Sequence, residues 1–74
     1  MGNTRYTIRA IPVQGTSGRV SGFYYEIGEA HGLQLPGVIA HYEGRQDARD
    51  AVGRLVEADR ANGLTNSYTT EHQG

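Results

Sequence analysis

The chain has 74 residues, enough for one small domain with a limited core and marginal stability on its own. It has no cysteine, which removes disulfides and thiolate-bound metals as staples and leaves association with a partner or a second copy as the expected remedy. Its net charge of −1 argues against a general nucleic-acid binder, and seven arginines with no lysine favour discrete, planar, bidentate contacts over diffuse attraction.

The opening segment lacks the apolar core of a signal peptide, and no apolar run approaches membrane-spanning length, so a cytoplasmic location is expected. Arg5 to Ala10 alternates, with Tyr6, Ile8 and Ala10 on one side and Arg5, Thr7 and Arg9 on the other, the pattern of a half-buried strand. Pro12 is expected to end this strand or set it at an edge. Gln14 to Arg19 is turn-forming, and Val20 to Gly28 reads as a second strand, completing a β-hairpin. Phe23, Tyr25 and Ile27 are expected to face the core, with Tyr24 and Glu26 facing out. Glu29 to Gly37 reads as a loop because it holds Gly32, Pro36 and Gly37. A third strand follows, Val38 to Glu43, with Val38, Ala40 and Tyr42 on one face and Ile39, His41 and Glu43 on the other.

Gly44 to Gly63 is the segment with a helical period. Ala48, Ala51, Val52, Leu55, Ala58 and Asn62 fall on one side at 100° per residue. Asp47 or Gly44 serves as the N-cap, Asp50 favours the positive end of the helix dipole, and Asn62-Gly63 supplies a left-handed stop with Leu64 folding back. Gly53 and Val56 fit a plain lid poorly. With Arg45, Arg49 and Arg60 they are expected on the outer face, where a glycine permits close approach by a partner. Residues 65–74 form a polar tail, expected to fray or to add a short fourth strand around Tyr68.

The expected fold is therefore α+β: a three-stranded antiparallel sheet, with a possible short fourth strand, covered on one face by a single C-terminal helix. Residues 1–64 make one β-β-β-α domain. The other sheet face carries Arg5, Thr7, Arg9, Tyr24, Glu26, Ile39 and His41 and is open to solvent or to a second copy.

Catalytic chemistry is poorly represented. His31, His41 and His72 show no metal-ligand spacing, and the serines lie in turn, strand and tail contexts without a nucleophile elbow. Neither glycine-rich phosphate-loop pattern occurs, and a chain this short hardly builds a cleft for paired carboxylates. No enzyme activity, metal or cofactor is expected. A small RNA or single-stranded DNA binder remains as one reading, with Tyr24 and His41 stacking on bases beside Arg5 and Arg9.

The run LPGVIAHYEGRQDARDAVGRL, preceded by YTIRA and GFYYEI, resembles HicB-type antitoxins. Leu35-Pro36-Gly37 match that family's turn, and Asp50-Ala51 stand in its Glu-Ala place at the helix. The loop before the turn is longer here, and no DNA-binding segment is recognisable after the helix. The resemblance spans roughly residues 5–58 and implies a β-β-β-α fold that neutralises a small toxin ribonuclease by protein binding, with no catalytic residues to carry over. In size and economy the chain also resembles phage-borne inhibitors of host defence, including anti-CRISPR proteins, which block a host protein's surface in the host cytoplasm. The combined expectation is a non-enzymatic inhibitor of a host or cognate protein, free or as a homodimer. Its expected partner-binding residues are Arg45, Arg49, Gly53, Val56 and Arg60, followed by Tyr24 and His41.

Overall fold

The computed structural model describes residues 3–64 and 66–73. Thr65 and Gly74, the ends of the polar tail, lie outside the described residues, as do Met1 and Gly2. The order is β1 (Thr4–Gln14), β2 (Val20–His31), β3 (Gly37–Tyr42), α1 (Arg45–Ala61) and β4 (Tyr68–Gln73). The strands form one sheet in the order β3-β2-β1-β4. β1–β2 and β2–β3 pair antiparallel, while β4 lies parallel to β1, with Arg5 opposite Tyr68 and Ala10 opposite Gln73. The fourth strand is thus formed rather than frayed, and the sheet is mixed rather than wholly antiparallel. A helix that crosses the sheet from the β3 side returns the chain in β3's direction, which is also that of β1.

The core is small. Tyr6, Ile8 and Ile27 from the sheet meet Ala48, Ala51 and Val52 from α1, with Tyr25, Ala40, Tyr42, Leu55 and Val56 half-buried around them. Ile27 and Val52 are the largest side chains fully buried, and each contributes about 1.5–3 kcal/mol. Val56 therefore belongs to the core margin and not to the outer face. The buried cluster reaches round to the flank of α1 that carries Val56 and, beside it, Arg49. On that flank Arg49 Nε and Nη2 donate to Glu71 Oε1 and Oε2 at 3.0 and 3.3 Å.

The N-cap of α1 is Gly44, in extended backbone and without a side-chain cap. Asp47 sits in the first turn instead of capping. The C-terminus closes as a Schellman motif: Leu64 N–H donates to the Asp59 carbonyl at 2.8 Å, Gly63 N–H donates to the Arg60 carbonyl at 3.0 Å, and Gly63 has φ +85°. Leu64 remains about half exposed.

Strands β1 and β2 run longer than their apolar alternation indicates. β1 continues through Pro12 to Gln14, and β2 continues to His31, which pairs with Thr4. The loop after β2 is therefore short, Gly32 to Pro36. Because β3 stops opposite Tyr25 and β4 stops opposite Ala10, the hairpin from Ile11 to Tyr24 projects as a two-stranded ribbon. The molecule is accordingly elongated, 48 × 23 × 15 Å. Pro12 is tolerated because β1 is an edge strand there. Phe23 pairs with Pro12 on this ribbon, past the sheet's flanking strands, and is half exposed rather than in the core. Val38 is displaced from the core face by the irregularity at Ile27/Gly28, which pairs it with Gly28.

One polar cluster ties the layers together. Tyr6 Oη donates to Asp59 Oδ2 at 2.7 Å, and Ser67 Oγ donates to the same oxygen at 2.7 Å. This holds the last turn of α1 over β1 and fixes the chain just ahead of β4. Burial, then the hydrogen bond to Asp59, then the negative charges of Asp59 and Glu29 hold the Tyr6 phenol above its ordinary pKa. The folded state thus keeps a proton that the unfolded chain releases near pH 10, so this contribution is intact below about pH 10 and is lost as pH rises further. Tyr6→Phe is expected to cost about 1–3 kcal/mol in urea unfolding at neutral pH and to flatten the alkaline loss of stability. Ser67→Ala, which leaves the buried phenol paired, is expected to cost less.

Candidate functional site

The strand registers sort the side chains of the open face. β1 contributes Arg5, Thr7, Arg9 and Ile11; β2 contributes Tyr24, Glu26 and Gly28; β3 contributes Val38 and His41; β4 contributes Tyr68, Thr70 and His72. Together with Pro36, most of them line a shallow trough of about 810 Å³ along the centre of the sheet. The expected placement of Arg5, Arg9, Tyr24 and His41 on one face is what the structure has. Tyr68, Thr70 and His72 were missed because they depend on β4.

One end of the trough is closed by the loop after β2. Pro36 sits over Gly28, where an added Cβ would lie 2.5 Å from Thr7 Oγ1 and 3.0 Å from Pro36 Cβ. Glycine is required here by close approach and not by φ. Arg5 Nη2 reaches the Gln34 carbonyl at 3.4 Å, while Arg5 Nε is buried with no hydrogen-bond partner. At the β3 side, Tyr24 and His41 meet edge to face at 5.6 Å between centroids, and His41 Nε2 lies 3.6 Å from Glu26 Oε2. On β4, Thr70 Oγ1 and His72 Nε2 are 3.3 Å apart.

Charge is segregated between the two faces. Glu26 is the single carboxylate that the registers place on the open face. Glu29 and Glu71 lie on the helix-covered face, Asp47, Asp50, Glu57 and Asp59 lie on α1, and Glu43 lies in the turn before it. Two arginines and two histidines therefore share the open face with one acid.

Of the residues expected on the outside of α1, Arg45, Arg49, Gly53 and Arg60 are exposed and Val56 is packed against the core. Arg45 lies over the Tyr25 ring at 5.4 Å from its centroid, Arg49 is paired with Glu71, and Arg60 donates to Glu57 at 3.1 Å. Gly53 is exposed, with open space where a Cβ would stand, in a shallow hollow shared with Arg49, Asp50, Arg54 and Glu57.

A further feature lay outside the expected set. Leu33 is 105% exposed and Leu35 is 91% exposed, and Val38 and Ile39 are about half exposed just beyond them. Val13, Val20 and Phe23 are likewise exposed on the projecting hairpin. Their signal was present in the sequence as apolar residues inside turn-rich segments.

Among the described residues no group of three or more His, Asp or Glu side chains is placed to hold a metal ion, and no helix is long and apolar enough to cross a membrane. No family model, curated protein or solved structure is significantly similar to this chain.

Replacing Gly28 with alanine is expected to drive the new methyl into Thr7 and Pro36, cost about 1–3 kcal/mol and displace the loop. Thermal unfolding reads the loss, and amide chemical-shift changes concentrated at Gly32, Leu33 and Gly37 locate it.

Proposed function

We propose that the protein is a non-enzymatic interaction module that inhibits a partner protein by occluding its surface, as a phage-encoded anti-defence protein of the anti-CRISPR kind does in the host cytoplasm. The observation that carries this reading is the solvent-exposed leucine loop. Of the four leucines in the sequence, only Leu55 is packed against the core, while Leu33, Leu35 and Leu64 are exposed. In so small a domain, apolar side chains withheld from the core and gathered in the stretch 33–39 mark an interaction surface. The exposed Gly53 on the outside of α1 supplies a second surface that a partner backbone can approach closely. The same apolar loop also serves self-association, which would show as a dimer by light scattering.

A second reading is a HicB-like antitoxin that neutralises a toxin ribonuclease. It is favoured by the β-β-β-α order of the first four elements and by the position of Leu35-Pro36-Gly37, whose glycine opens β3. The two readings share the mode of action and differ in the partner.

Leu33→Asp with Leu35→Asp tests the surface. Both positions are exposed, so stability is expected to change by no more than about 0.5 kcal/mol for each. Binding to the partner recovered from the native host, then repeated with the purified partner, is expected to weaken by about 3 kcal/mol or more, roughly 100-fold. Stoichiometric loss of the partner's activity with the wild-type chain, absent with the variant, completes the test. Equal capture and equal inhibition by both chains would exclude the leucine loop. Gly53→Arg then tests the helix surface in the same assay.

A further inference from the structure

We infer that the open face of the sheet is a binding site for single-stranded nucleic acid, with β1 supplying the contacts to phosphate and the flanking strands supplying rings for the bases. This surface adjoins the leucine loop, which closes one end of it, but its arginines and rings lie on the strands and the inference does not rest on the reading above.

Three observations carry it. Arg5 and Arg9 project from the central strand on the same face, about 13 Å apart along β1 at the usual rise, with a threonine between them. Neither forms an ion pair among the described residues: Arg5 Nη2 reaches the Gln34 carbonyl at 3.4 Å, and Glu26 stands opposite Arg9 in the register without closing a salt bridge to it. On both sides of this row stand rings: Tyr68 and His72 on β4, and Tyr24 and His41 on the β2–β3 side. A guanidinium row between exposed rings on a sheet face matches a charged backbone with unstacked bases, because every base offers a π-face. Finally, the carboxylates are concentrated on the other side of the molecule, so a chain with a net charge of −1 still presents a locally cationic trough.

A duplex fits this surface less well. The trough is shallow and lies along the strands, the projecting hairpin stands at one end of it, and the rings have no unstacked base to meet in a paired helix. An acidic protein segment would satisfy the arginines but has no use for four rings. The chemistry therefore selects a flexible polyanion with aromatic bases.

The test is fluorescence anisotropy of the full chain with labelled oligothymidylate and oligouridylate of about 12 nucleotides, and with a duplex of equal length. Saturable binding to the single strands, weaker to the duplex, is expected. With two phosphates neutralised, log K against log salt has a slope of about −1.4, so affinity falls about sevenfold between roughly 50 and 200 mM salt. Arg5→Gln with Arg9→Gln is expected to abolish most of that slope, whereas Tyr68→Ala with His72→Ala weakens binding about fivefold or more and leaves the slope intact. Arg54→Gln, on the outside of α1, is expected to change neither. Circular dichroism and thermal unfolding confirm that each variant is folded, and Arg9→Gln alone, at an exposed position, replaces the double variant if that one unfolds. Absence of binding at about 100 μM protein would overturn the inference. So would equal loss with Arg54→Gln, which indicates diffuse attraction, or equal displacement by a polyglutamate peptide, which indicates an acidic protein segment as the ligand.

Discussion

The rest of the structure depends on one shared carboxylate oxygen. Asp59 Oδ2 accepts from the buried Tyr6 phenol and from Ser67. The core beneath the helix is largely alanine, isoleucine and valine, and it offers little shape to fix where the helix lies. A directional contact near the C-terminal end of α1 removes that freedom. It also positions the chain as it leaves the helix, and so decides that the last strand returns beside β1. The parallel addition of β4 gives the sheet its fourth strand, supplies Glu71 to Arg49, and places two more rings on the open face. Tyr6 pairs this geometry with a strong penalty for error, since a buried phenol without an acceptor is costly.

The parts of the fold readable in the sequence are those where local pattern and tertiary burial agree. Alternation in Tyr6, Ile8 and Ala10 marked the face that α1 covers, and Asn62-Gly63 marked the Schellman stop, because both depend on neighbours in the chain. β4 was hard to read because Tyr68 to Gln73 is polar and its pairing is supplied wholly by β1. The hairpin was read too short for a related reason. Beyond Ala10 no helix covers the strands, so its residues carry no core-facing constraint and Pro12 is admissible. Val38 went to the wrong face through a single irregularity, since one extra residue reverses every side chain beyond it.

The open face was legible in half. Arg5, Arg9, Tyr24 and His41 follow from strand period alone. Tyr68 and His72 could be placed only once the parallel partner of β1 was known. On the outside of α1 the one departure is Val56, because a helical wheel gives angles about the axis but not how far the core reaches round the helix. Arg45 and Arg49 stand beside the solvent as the wheel sets them, while also meeting Tyr25 and Glu71. Gly53 and Arg60 keep the openness expected of them.

The same economy explains why the exposed apolar side chains and the open trough lie where the helix is absent. One helix of 17 residues can cover only the middle of one sheet face. The hairpin from Ile11 to Tyr24, the leucine loop and the trough are what remains, and each carries side chains that a folding requirement does not explain. Exposed Leu33 and Leu35 gain nothing from the core, and Arg5 keeps a buried Nε without an acceptor although the Gln34 carbonyl lies near the other end of its guanidinium. An apolar surface without a cover and a cation without a counter-ion are both incomplete in the free chain. The two differ in chemistry, apolar at the loop and cationic with rings at the trough. The two are neighbours in the fold: the loop that carries Leu33 and Leu35 closes one end of the trough through Pro36, and the Gln34 carbonyl within it accepts from Arg5.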